Sequence, residues 1–351
     1  MTESTTSDLR TTANGKIVLT TLAGGITLTE GTGSAGNGAI SAHGTGTVTP
    51  VAGGTGSDIR VGGTITSGTG SISLRAADTV AFSSGADAIT TSTGKVTVTA
   101  TAGDVTMSTS NQLASGTGTI TVKAGDDLTA GSLSTKGSLT LDAFDKVSIS
   151  GTATRTGKTI TIKANDLSVG ASLSSAGSKL VITTQTGVPI VLGGATPTTP
   201  AMHLSVTELA RLKDGFGSIT IGSKLANQQV RIDGTAGAVV FNDPVVLAAS
   251  GAGGSIAITG SVTGDTLEIG NSGTSTTLTK ATVTMQRGIT VLDALVVSGS
   301  NKLSSSVATG GHSISLKTVT GKAGGSADKL TLDANGGNVA MGTVSSLQGW
   351  R

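Results

Sequence analysis

GSISLRAADTVAFS, residues 70–83, is followed by GKVTVTATAGDVTMS at 94–108, GTITVKAGDDLTAG at 118–131, GSLTLDAFDKVSIS at 137–150 and GKTITIKANDLSVG at 157–170. Far downstream, DKLTLDANGGNVAMG at 328–342 has the same shape. A glycine opens most of these phrases. A short strand alternating apolar and polar residues comes next, then a turn that usually holds Ala and Asp, then a second short strand. Self-similarity of this kind is the signature of a repeat architecture.

The leading apolar residues are Ile72, Val96, Ile120, Leu139, Ile160 and Leu180, at spacings of 24, 24, 19, 21 and 20. A period drifting over that range suits a coil of three short strands whose turns absorb the length variation. Within each strand the pairs Ile72/Leu74, Val96/Val98, Ile120/Val122, Leu139/Leu141 and Ile160/Ile162 repeat every second residue, so they face one way and Ser, Thr and Lys face the other. One such strand cannot bury its apolar face alone, whereas stacked coils pair every backbone group with the coil above and below. The reading is an all-β, right-handed parallel β-helix of about 15 coils, the hand following the general preference of parallel crossovers and the count following the strand stacking of solenoids.

Composition agrees. The chain has 54 glycines among 351 residues, no Cys, no Tyr, one Trp and four Phe, which suits a narrow interior with little room for rings. At 36% hydrophobic and 13% charged it is too apolar for a disordered chain. Five prolines and no Gly-X-Y period exclude collagen. A net charge of +2, with no Lys/Arg run and no aromatic platforms, gives no case for nucleic acid as a partner. No apolar stretch reaches the ~20 residues that span a bilayer, so membrane insertion is not expected. The start, MTESTTSDLRTTANG, lacks the apolar core of a signal peptide, so an exported chain would be part of something longer or carry an unfamiliar address.

Four segments follow: residues 1–56 as a polar tail and less regular first coils, 57–195 as regular coils, 196–216 as a Pro-containing loop with a short helix, and 217–351 as a second stack. Pro197 and Pro200 stop the preceding strand. Ser205 with Glu208 forms a capping box, Leu209 and Leu212 make a small apolar face, and Gly215 sits past the end, predicting a helix near Val206–Lys213. Strands resume at Ile219/Ile221 and recur down to Leu330/Leu332.

The phrase G-x-[IVL]-x-[IVL]-x-A followed by D-x-V resembles the coils of filamentous-haemagglutinin-like adhesins. LSVTELARLKDGFGSITIG, residues 204–222, is similar to a recurrent insert of giant repetitive bacterial surface proteins. The resemblance implies a secreted or cell-surface role in adhesion or as a structural stalk, and it supplies no functional residues.

Several motifs resemble functional sites, and each also has a plainer role. GGTGSDIRV, residues 53–61, approaches the calcium nonapeptide GGxGxDxUx, but Ile59 and Arg60 are out of register and a single copy cannot supply six to eight oxygens around Asp58. Asp126-Asp127 suggests the paired carboxylates of polysaccharide-cleaving β-helices. Yet Asp127 falls near a turn position also held by Asp78, Asp104, Asp145 and Asp166, which reads as turn chemistry, and neighbours on an extended chain point apart. His43, His203 and His312 form no metal or catalytic spacing. An outward ladder of Ser71/Ser73, Thr97/Thr99, Thr119/Thr121, Ser138/Thr140 and Thr159/Thr161 offers an ice-binding face, interrupted by Lys95, Lys123 and Lys163 and lapsing at Lys179/Val181. Phe82, Phe144, Phe216, Phe241 and Trp350 do not recur at one coil position, so no repeated sugar shelf is expected.

The expectation is a non-enzymatic, extracellular β-helical segment of a bacterial surface protein, with no catalytic, cofactor or metal residues. The alternatives are a carbohydrate-active lyase or hydrolase and an ice-binding solenoid. A surface glycan or protein ligand is an open possibility. Self-association through the end coils is also expected, with Trp350 as a candidate lid for the last one.

Overall fold

The computed structural model describes residues 9–30, 38–90, 92–156, 158–270, 274–306, 312–322 and 327–347. The chain divides into two compact units, Met1–Ser178 and Lys179–Arg351. Each is a parallel β-solenoid, right-handed as expected, and the two contain about 12 turns. The shortfall from the expected number has a simple source: the 196–216 loop adds no coil, and some circuits are long, 31 residues from Ile17 to Val48 and 26 from Ile219 to Val245.

In the first unit every coil contributes one strand to each of three sheets. The first sheet has 8 strands, from Leu9–Arg10 to Leu173–Ala176, and the third has 7, from Ile26–Thr29 to Asp166–Val169. Between them lies the sheet that carries the repeat read from the sequence. Its register joins Ile72, Val96, Ile120, Leu139 and Ile160 in one column. The second column inward, Leu74, Val98, Val122, Leu141 and Ile162, is wholly excluded from water. Burying each such side chain stabilises the coil by about 1.5–3 kcal/mol before the entropy of ordering is subtracted.

The strand that each coil gives to the first sheet lies just before the opening glycine: Ile65–Ser67, Ala88–Thr90, Gln112–Ser115 and Ser132–Thr135. It is less apolar inside. Ser67, Thr90, Ser115 and Thr135 point inward and are buried. A buried hydroxyl is costly unless bonded, and here each donates to the carbonyl of an opening glycine. Ser67 reaches Gly46 at 2.8 Å, Thr90 and Ser115 reach Gly94 at 2.9 and 2.7 Å, and Thr135 reaches Gly118 at 2.6 Å.

Those glycines are required by a close approach. Gly70, Gly94, Gly118 and Gly137 have no positive φ, but a methyl group on any of them would overlap the carbonyl oxygen of the glycine one coil earlier. Stacked coils meet there backbone to backbone.

In the second unit the strands Ser218–Phe241, Val245–Ile269 and Ser275–Ser298 are 24, 25 and 24 residues long. A straight strand of that length would run about 80 Å. Instead Ile219 pairs with Val245, Val230 with Ile256 and Val239 with Val262, so one such strand is a whole circuit bent at its corners. Register breaks between Gly222 and Asn227 and between Gly234 and Val239 mark two of the bends, and Gly222 takes φ 95° at the first. Further circuits open at Leu267, Ile289 and Ile314.

The excursion adds Met202–Leu204 to one edge of Ile190–Gly193, whose other edge holds Val230–Asp233. The capping box forms as expected: Glu208 N–H donates to Ser205 Oγ at 3.2 Å, and Ser205 N–H donates to Glu208 Oε2 at 3.0 Å. The helix is shorter than expected, Val206–Leu209. Arg211 and Leu212 donate to carbonyls three residues back, each at 3.0 Å, which tightens the last turn and ends the α-helix. Leu209, Leu212 and Phe216 are buried, so the excursion packs on the coil.

Candidate functional site

The chemistry-bearing residues of the first unit gather at the corner between its second and third sheets. There the recurrent acids resolve into two neighbouring columns. Asp58, Asp104, Asp127 and Asp166 each stand immediately before the first inward apolar residue of the third sheet, Ile59, Val105, Leu128 and Leu167, and Asp78, Asp126 and Asp145 stand two residues before theirs, Val80, Leu128 and Val147. Their turn role takes a specific form. Asp58 Oδ1 accepts from Thr79 N–H at 3.2 Å, Asp104 Oδ1 from Asp127 N–H at 3.1 Å, and Asp127 Oδ1 from Lys146 N–H at 3.1 Å. A carboxylate in one coil thus satisfies a backbone donor in the next. The sequence pointed to turn chemistry within a coil; these three bonds run between coils, while Asp166 Oδ1 accepts from its own neighbour Leu167 N–H at 2.9 Å.

One expectation needs correcting. Asp126 and Asp127 do not point apart, because the chain turns there instead of running extended. Their carboxylates and that of Asp145 each place an oxygen within 4.8 Å of the others, and all three residues are exposed. Partial burial raises the Asp127 carboxyl above its ordinary 3.8, and the charges of Asp126, Asp145 and Asp104 push the same way, while the Lys146 amide pulls it down. Three convergent carboxylates are a donor set for a hard cation. They lie on an open corner, a setting in which exposed acids commonly gather without an ion.

At Gly53–Val61 the turn is shaped by Gly54 at φ 90° and Gly56 at φ 71°. Besides holding the Thr79 amide, Asp58 faces the Arg60 guanidinium at 3.4 Å, a cation where an ion would have to sit. The expected result is calcium independence. EDTA should leave the melting temperature of the chain unchanged, because an ion bound only by the folded form would raise it by mass action. A drop of several degrees that calcium restores would contradict this.

His43 is exposed in the first unit. In the second, His203 Nε2 lies 3.0 Å from the Gly193 carbonyl and His312 Nδ1 lies 3.1 Å from the Arg287 carbonyl. None of the three joins a metal-ligating group among the described residues. Phe82, Phe216 and Phe241 are buried and closed to a sugar, while Phe144 is 56% exposed, and Trp350 lies outside the described residues.

The hydroxyl ladder is real but narrow. Ser73, Thr97, Thr121, Thr140 and Thr161 stand in register. Thr99, however, aligns with Arg75 and Lys123, and the same column continues through Asp142 to Lys163. Lys123 and Asp142 pair across it at 3.4 Å. Ser71, Thr119, Ser138 and Thr159 stand two residues before the first column, with Lys95 in their midst, so hydroxyls broken by charge on both sides make a solvated sheet face.

No protein-family model, curated protein or solved structure matches this chain.

Proposed function

We propose that this chain is a non-enzymatic, extracellular β-helical segment of a bacterial surface protein, working as an adhesin stalk or structural filament. The observation that carries the reading is the use of the recurrent polar residues. At the corner Asp58, Asp104 and Asp127 bond amides of the next coil, and the buried hydroxyls bond the glycine carbonyls. Residues that recur in this way serve stacking, which is the demand on a spacer. The repeats themselves resemble those of filamentous-haemagglutinin-like adhesins, which supports a surface location. Protease shaving of intact source cells tests it. Peptides of this chain should be released from whole cells, and their release only after lysis would defeat the proposal.

Filament behaviour gives a second check. Among the described residues, Lys329–Asp333, Val339–Met341 and Val344–Ser345 pair along one edge only. Val339 is 45% exposed. An unpaired strand edge templates another chain, and a head-to-tail contact does not close. The purified 351-residue chain should therefore form filaments that lengthen with concentration and shorten in a Val339→Lys/Met341→Lys variant. Electron microscopy showing single particles throughout, in both proteins, would end this part of the proposal.

A further inference from the structure

The corner that receives the excursion holds a buried carboxyl in an unusual setting. Asp243 follows the strand Ser218–Phe241 and is 4% exposed. Gly215 N–H donates to its Oδ1 at 2.9 Å, and the Phe216 amide donates to the same carboxyl. Its Oδ2 is buried with no donor facing it. What the carboxyl does meet is another acceptor: the Asp214 carboxylate, within hydrogen-bond reach on the returning limb of the excursion.

Two carboxylates in contact cannot both stay charged at low cost, and one shared proton turns the repulsion into a hydrogen bond. The surrounding charges leave Asp214 as the group that acts on Asp243. On the excursion, Lys213 Nζ donates to the Ala210 carbonyl at 3.2 Å and Glu208 is closed into the capping box. On the next circuit, Asp265 is paired with Arg287. We propose that Asp214 and Asp243 form a proton-sharing clasp that fastens the helical excursion, residues 205–217, to the second solenoid in acid and loosens it as the pH rises.

Burial is the largest cause raising the Asp243 carboxyl above its ordinary 3.8, and the Asp214 contact adds to it against the two amides. The sign follows. A carboxyl whose pKa is raised by folding contributes stability that is complete below the unfolded value and is lost as pH climbs through the folded one. A global melt would blur this, because Asp233 in the same unit is shifted down, first by the Thr235 hydroxyl and then also by Arg231, and so acts in the opposite direction. The readout has to be local.

Hydrogen exchange of peptides covering residues 209–217, corrected for the intrinsic pH dependence, supplies it on the full chain. Between pH 4 and pH 8 protection of the Gly215 and Phe216 amides should fall, about ten-fold for each unit by which the pair raises the carboxyl. Asp214→Asn removes the facing charge and should make the profile shallower, leaving the part that burial causes. Asp243→Asn mimics the protonated form, keeps an oxygen for the two amides, and should flatten it. If Asp243→Asn does not fold, the exposed Asp214→Asn decides alone. A flat profile in the unaltered chain overturns the clasp, as does an Asp214→Asn slope equal to it. Full protection at pH 8 restored by calcium chloride also overturns it, since the pair would then be a cation site.

Discussion

Gly118→Ala should destabilise the first unit by about 3 kcal/mol, the upper end of the range for overpacking, because the atom it strikes is backbone. Gly118 has ordinary φ, so the cost is not conformational. Its new methyl would overlap the Gly94 carbonyl oxygen, the same atom that accepts from Thr90 and Ser115. A side chain could rotate away. The two stacked coils cannot, without breaking the parallel ladder on both sides of the corner. For a unit of this size 3 kcal/mol corresponds to a melting shift of about 6–12 °C. Gly237→Ala is the matched control: a methyl there meets nothing within 4 Å, so its effect should stay within about 0.5 kcal/mol. Equal melting temperatures for Gly118→Ala and the unaltered chain would mean that the coils stack more loosely than the structure has them.

The opening glycine was visible in the sequence as punctuation, but its reason was not. The close approach lies between residues a full coil apart, and no local pattern records it. The apolar columns were legible down to register, since period-2 alternation fixes which residues face inward and the repeat fixes which ones stack. The first-sheet strand of each coil was hidden. Ala88–Thr90 and Ser132–Thr135 turn Thr90 and Thr135 into the core, so hydrophobic alternation fails where the interior is polar. The recurrence of acids at the corner points to turn formers, and the bonds of Asp58, Asp104 and Asp127 to the next coil follow only once the stacking is known. Asp243 gave no signal at all, because Asp214 reaches it only when the excursion folds back. The capping box of Ser205 and Glu208 was legible because it is complete within four residues.

Leu141→Ala tests the part of the fold that the sequence specified best. Leu141 is completely buried in the strand Leu139–Ala143, pairing in register with Val122 on one side and Ile162 on the other. Truncation removes the transfer energy of the lost carbons and leaves a cavity that the neighbouring coils, held by their own ladders, cannot collapse to fill. The expected loss is about 2–5 kcal/mol. In a solenoid each coil contacts only its neighbours, so the loosening should centre on the strands bearing Val122 and Ile162 and fade towards Ile72. Exchange protection mapped along the first unit reads that gradient directly. Val122→Ala combined with Leu141→Ala should depart from additivity, since the two side chains line one stretch of core. Leu22→Ala, at a residue 90% exposed, should change stability by less than about 0.5 kcal/mol. Were Leu141→Ala equally silent, the alternation in the repeat would not be reporting a packed interior, and the inward columns would have to be reassigned.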